Sequence, residues 1–145
     1  SDTEADKTAR EEIEKTFKNA LKKGRLKIKV EPLKSSNVPG VILLSEYTRR
    51  MQDFNRMYGK LDKDKKDKVP EEQILVLNSN NSLIKALMNL KNNENRQDDV
   101  KMICEHIFDL AMMSHKQLEP EEMTRFIERS NAILERLAVA QSEVS

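Results

Sequence analysis

The sequence predicts an α+β fold: a small sheet of about three strands set among helices, ending in a helical hairpin. Three observations carry that reading. Short strand-like runs, Leu26-Lys27-Ile28-Lys29-Val30, Val41-Ile42-Leu43-Leu44 and Ile74-Leu75-Val76-Leu77, alternate with segments whose apolar residues recur every three or four positions. From Val100 onward the period is helical, broken only at 117–119. A length of 145 residues with 37% hydrophobic and 35% charged side chains fits one folded domain rather than a disordered chain.

The first helix is expected over 8–23. Thr8 and Glu11 fit a capping box, Ile13, Phe17, Ala20 and Leu21 form one stripe, and Gly24 follows as a terminator. The 26–30 run alternates with period two, as a half-buried strand does, and Pro32 ends it. Ser35-Ser36-Asn37 reads as a turn. Pro39-Gly40 marks the start of the 41–44 run, whose unbroken apolar character suits a strand covered on both faces. A helix over 47–58 should stop at Gly59, and the Lys/Asp run at 60–68 reads as a solvated surface loop. Residues 74–77 form the third strand, and Asn78-Ser79-Asn80-Asn81 is a turn that caps a helix over 82–90. After a polar connector at 92–97 come the two hairpin helices, over 100–116 and 120–140. Pro120 stands at the first helical position of the second, Glu121 and Glu122 fill its positive first turn, and Leu118 is placed to staple onto Met123. Glu119 is a poor cap, and past Val139 the pattern dissolves into an expected frayed tail. These segments compose a single domain over 1–145, with an α+β body at 8–91 and the hairpin at 98–140.

Composition and motifs exclude more than they suggest. A net charge of +1 and 4% aromatic residues argue against a nucleic-acid module. No run of 18 apolar residues and no basic-then-apolar leader occurs, so the chain reads as soluble and cytoplasmic, with no membrane partner. It opens at Ser1 without a methionine, as a piece of a longer protein would. The single cysteine, Cys104, sits among apolar neighbours as a small core residue. His106 and His115 are nine residues apart, off the spacing that lets two helical histidines share a metal, and read as solvent-edge residues. The three glycines stand alone, with no phosphate loop. No catalytic, cofactor-binding or metal-ligating residue can be nominated, and the chain is expected not to be an enzyme.

Two stripes remain. In the 47–58 helix, Tyr47, Met51, Phe54 and Tyr58 recur at spacings of four, three and four, with Met57 adjoining. The stripe contains no Leu, Ile or Val. It either packs on the sheet as core or serves as an adaptable contact surface, since thioethers and amphipathic rings hold varied partners. In the hairpin, Val100, Ile103, Ile107, Leu110 and Ser114 form one heptad-like face. Met123, Ile127, Ser130, Leu134 and Leu137 form a second, and Phe126 and Ile133 belong to an adjoining one. Two helices with doubled apolar faces suit a four-helix bundle built from two copies through a two-fold contact. The dimer is the expectation, with Ile103, Ile107, Leu110, Met123, Phe126, Ile127, Ile133, Leu134 and Leu137 in its seam.

Three blocks carry a family resemblance: VEPLKSSNVPGVILLSEYTRRMQDFNRMYG at 30–59, ILVLNSNNSLIKAL at 74–87, and ICEHIFDLAMMSHKQLEPEEMTRFIERSNAIL at 103–134. In that order they closely resemble the C-terminal domain of bacterial heat-shock protein 90 chaperones of the HtpG type, over nearly the whole chain. The segment before Thr8 and the Lys/Asp loop are the least diagnostic. The resemblance implies a homodimer joined through the hairpin. It also implies a client-contact helix at 47–58, with Tyr47, Met51 and Phe54 the closest positional matches, for non-native client proteins. ATP, Mg and the slow ATPase belong in that family to N-terminal and middle domains, so no such residue carries over. The acidic pentapeptide tail of cytosolic eukaryotic members is absent, which favours a bacterial member or a chain trimmed there. Glu119 departs from the usual Thr or Ser helix cap, and Tyr58 with three arginines departs within the client helix. The rival reading is a scaffold or adaptor dimerisation domain without client binding.

Overall fold

The computed structural model describes residues 3–58 and 71–144. Gly59 and the 60–68 run lie outside the described residues. Among the described residues, five helices and three strands follow one another in the order α1 (Glu4–Leu21), β1 (Lys27–Glu31), β2 (Gly40–Leu44), α2 (Glu46–Tyr58), β3 (Gln73–Asn78), α3 (Ser82–Leu90), α4 (Gln97–His115) and α5 (Pro120–Val144), with a 3₁₀ turn at Glu94–Arg96 before α4. This is the expected α+β arrangement.

Helix α1 starts at Glu4, with its cap five residues before the Thr8 box. Thr3 is the cap: its hydroxyl accepts from the Asp6 amide at 3.1 Å, and the Asp6 carboxylate accepts from the Thr3 amide at 3.3 Å. The first two turns carry little apolar pattern, so the sequence hides them. The C-terminal end also differs. Lys22, not Gly24, takes the left-handed conformation, at φ 51° and ψ 42°, and its amide donates to Lys18 O at 3.0 Å.

The sheet has the order β1-β3-β2, with β1 parallel and β2 antiparallel to the central β3. Leu75, Val76 and Leu77 are buried in β3 because that strand is paired on both edges and covered on both faces. The expectation of double cover for 41–44 is therefore misplaced. β2 is an edge strand, and Leu43 stands out in solvent. An apolar run looks the same in either position, and only the pairing order separates them. β1 does alternate, with Ile28 inward and Lys27 and Lys29 outward. Gly40 lets the strands pack closely, since a Cβ there would lie 3.3 Å from both Val76 O and a Leu77 methyl and would push one of them aside by a few tenths of an ångström.

The 78–81 turn does more than cap α3. Asn78 is fully buried: its amide group donates to Ser35 O at 2.8 Å and Val38 O at 2.9 Å, and its carbonyl accepts from the Leu33 and Asn80 amides at 3.0 Å each. Asn81 accepts from Leu83 and Ile84 at the start of α3 and donates to Ser36 O. Two asparagines thus hold the β1–β2 loop against the sheet and satisfy backbone groups that would otherwise be buried unpaired.

Helix α4 runs through the middle of the core. Val100, Cys104, Ile107, Phe108, Ala111 and Met112 meet Ile13 and Phe17 of α1, Leu75 and Leu77 of β3, and Ile84 and Leu87 of α3. Burial pushes the Cys104 thiol up to about 12, with Glu105 adding to the effect, so this cysteine is an inert packing group. At the start of α5, Glu122 accepts from the Glu119 amide at 3.0 Å, the half of a capping box that needs no Ser or Thr. Leu118 joins the core, and Met123 packs against it. The helix then continues to Val144, past the point where fraying was expected.

Candidate functional site: two exposed apolar stripes

The first stripe is on α2. Ser45 caps this helix, its hydroxyl oxygen accepting from the Thr48 amide at 3.1 Å while its O–H donates to Thr48 Oγ1 at 3.0 Å. Thr48 Oγ1 also accepts from the Glu72 amide at 2.8 Å, and the Ser45 amide donates to Glu72 O at 2.8 Å. One turn on, Gln52 reaches Glu71 Oε2 at 3.4 Å. Thr48 is the one buried residue of α2, Met51 and Gln52 are half-buried, and everything from Asp53 to Tyr58 is exposed. The helix is thus fastened along one edge near its start and stands clear of the body beyond that.

Its apolar stripe faces solvent. Phe54 is 54% and Met57 72% exposed, with Tyr47 and Tyr58 comparably open. Phe54 and Tyr58 lie against each other, ring centroids 4.8 Å apart and planes tilted by 41°. Arg50 pairs with Glu46 and Arg56 with Asp53, giving the stripe polar flanks. Of the five residues expected here, four are open and Met51 is partly covered.

Glu71 ties this region to the end of α4. Its Oε1 meets Gln73 Nε2 at 3.0 Å, His115 Nε2 at 3.2 Å and Lys116 Nζ at 3.5 Å. Partial burial pushes the Glu71 carboxyl up, but the hydrogen bonds from Gln73 and His115 and the Lys116 charge outweigh it and hold the group below its usual range.

The second stripe is on the hairpin. Among the described side chains of α5 none is buried. Leu134 is 60% exposed, Ile127, Leu137 and Val139 are more than half exposed, and Leu110 of α4 is nearly so. Met123, Phe126, Ile133 and Ile103 are half-buried beside them. Ile107 departs from the expected seam. It is 2% exposed and belongs to the core of its own chain, because the α4 face that carries it is turned onto the sheet and α1.

Polar clamps hold α5 on α4. Arg129 donates to Asp109 Oδ2 at 2.9 Å and to His106 Nδ1 at 3.2 Å, and His106 stacks on Phe126 at 4.5 Å with planes 7° apart. His106 is therefore a packed, partly buried group rather than the expected solvent-edge one. Burial, then the Arg129 charge, hold its pKa below the ordinary value against the opposing pull of Asp109. Arg129 facing Nδ1 requires the neutral ring with its proton on Nε2. Toward the other end of the pair, the buried Asp99 takes Arg96 on one oxygen and Arg136 on the other. Sequence reasoning missed both clamps. Apart from Arg96, three residues before Asp99, the partners lie 20 or more residues apart on different helices, and nothing in local spacing marks those pairings.

No group of three or more His, Cys, Asp or Glu that could hold a metal occurs among the described residues. No helix among them is long and apolar enough to cross a membrane. No protein-family model matches the chain, and no curated protein matches its sequence.

Proposed function

We propose that this chain is the dimerisation and client-contact domain of an ATP-dependent chaperone of the heat-shock protein 90 family, acting in the cytoplasm. The observation that carries the reading is the uncovered aliphatic stripe of α5. Ile127, Leu134 and Leu137 stand in water at heptad-like spacing on a helix whose opposite side is firmly clamped to α4. An apolar seam of that kind calls for a partner. A second copy supplies the same seam in a two-fold arrangement, giving four helices from two hairpins.

The three sequence blocks quoted above support the family, and the open Met/aromatic stripe of α2 supports client contact over a scaffold role. In this reading the hairpin is a permanent joint. It keeps the ATP-driven arms of two protomers at high mutual concentration, so that their closure is effectively intramolecular. The α2 stripe meets apolar segments of non-native proteins, weakly and with little sequence demand. Catalysis and its ATP and Mg belong to other domains of such a chaperone, and ATP hydrolysis by this chain should not rise above background.

Light scattering at micromolar concentration tests the joint. The expected result is about twice the chain mass, falling to the chain mass for Leu134→Glu. A monomeric wild type would sink the proposal.

A further inference from the structure

Met57 differs from every other methionine of the chain. Of the seven, Met112 is buried and Met51, Met88, Met102, Met113 and Met123 are half-buried, whereas Met57 is 72% exposed. It also sits on the working stripe, beside the Phe54–Tyr58 ring pair and one residue beyond the Arg56–Asp53 ion pair. Thioether oxidation follows solvent access, because a peroxide must reach the sulfur lone pair directly. Buried and half-buried sulfurs are shielded by their neighbours.

We propose that Met57 is a site of oxidation by peroxides, and that its sulfoxide weakens the contact between α2 and apolar client segments. This rests on the client-contact reading of α2. In the reaction the Met57 sulfur attacks one peroxide oxygen. The S–O bond forms as the O–O bond breaks, and the proton on the transferred oxygen passes to the departing hydroxide, which leaves as water. Sulfur is oxidised by two electrons and the peroxide is reduced by two. The product is a strong hydrogen-bond acceptor where an adaptable apolar group stood. Covering it with a client's apolar side chain strips water from the sulfoxide oxygen and returns no hydrogen bond. Among the described residues Met57 stands 72% exposed, so its oxidation should leave α2 folded.

The sequence makes the site easy to resolve. Trypsin cleaves after Arg50, Arg56 and Lys60, which places Met51 and Met57 on separate peptides. The whole chain is treated with limiting hydrogen peroxide, digested and mapped by mass spectrometry, and in parallel titrated against reduced, carboxymethylated lysozyme as a permanently unfolded client. Met57 should be oxidised well before the other six, and client affinity should fall about tenfold as it is. Met57→Leu, whatever its own starting affinity, should keep that affinity through the same treatment. Oxidation that spreads evenly over the methionines overturns the proposal. So does a Met57 sulfoxide that leaves affinity unchanged, or a Met57→Leu variant that loses affinity as the wild type does. Absence of binding before any oxidation would instead sink the client-contact reading, and this inference with it.

Discussion

Helices α2 and α5 both present an apolar stripe to water, but they are built and fastened differently. The α5 stripe is aliphatic, repeats at heptad-like spacing, and lies on a helix held by ion pairs from Arg129 to Asp109 and from Arg136 to Asp99. The α2 stripe is made of methionine and aromatic groups on a helix fastened along one edge by hydroxyls at Ser45 and Thr48. Regular, branched side chains on a rigid support suit one fixed partner, because close packing rewards a single geometry. Thioethers and amphipathic rings on a lightly held helix suit partners of varied shape. Under the proposed function, that contrast divides the labour between a joint at the C-terminal end and a working surface at α2.

The sharpest test of the joint compares two residues that look alike in the sequence. Ile107 and Leu134 both occupy heptad-like positions, yet Ile107 is 2% and Leu134 60% exposed. Ile107→Glu buries an unpaired carboxylate in the core and should cost more than about 4 kcal/mol, unfolding the chain outright. Leu134→Glu should leave the melting temperature of the monomeric fold nearly unchanged while abolishing self-association. Circular dichroism melts beside light scattering read the two effects separately. A folded, monomeric Ile107→Glu would mean that the α4 seam is a surface after all.

The support beneath the joint comes next in size. Arg129→Ala leaves Asp109 charged and buried without its partner and removes the hydrogen bond to His106, an expected loss of about 3 kcal/mol in denaturant unfolding. The same cluster gives the hairpin a pH dependence. The His106 pKa is lowered in the fold, so the unfolded chain takes up a proton at higher pH than the folded one. The stability it protects is present above the ordinary histidine value and is lost as pH falls through that value toward the lowered one. His106→Gln keeps an acceptor for Arg129 without the titration. Subtracting its stability profile from that of the wild type should leave a slope confined to this window. A flat difference would place His106 outside the clamp's energetics.

How much of this was legible in the sequence depended on the range of the interaction involved. Asn81 as a cap, Pro120 as a first helical residue and the 74–77 strand follow from local rules, and each stands where those rules put it. Thr3 is hard to find from sequence because Thr8 and Glu11 satisfy the same capping rule and the residues from Glu4 to Thr8 carry little apolar signal. The 41–44 run was given too much cover because hydropathy does not encode strand order. The α2 stripe was visible as a period, but its exposure is a tertiary fact. So are the Arg129 and Arg136 pairs, which join helices across a turn without any local spacing to announce them. Glu71, gathering contacts from Gln52, Gln73, His115 and Lys116, is the same kind of residue: ordinary in sequence, and a meeting point in the fold.

The smallest expected effect tests the other half of the contrast. Thr48→Val keeps the shape of the side chain but removes the oxygen that accepts from the Glu72 amide and from the Ser45 hydroxyl. One partly buried N–H loses its partner, which should cost about 1 kcal/mol. If α2 is as lightly held as its contacts indicate, that loss should stay local. Amide hydrogen exchange should accelerate across 49–58, while α4 and α5 keep their protection and self-association is unchanged. Exchange that rises equally in α5 would mean that the two helices open as one unit. The separation between a fixed joint and an adaptable working surface would then fail, because a client bound to α2 would be pulling on the joint itself.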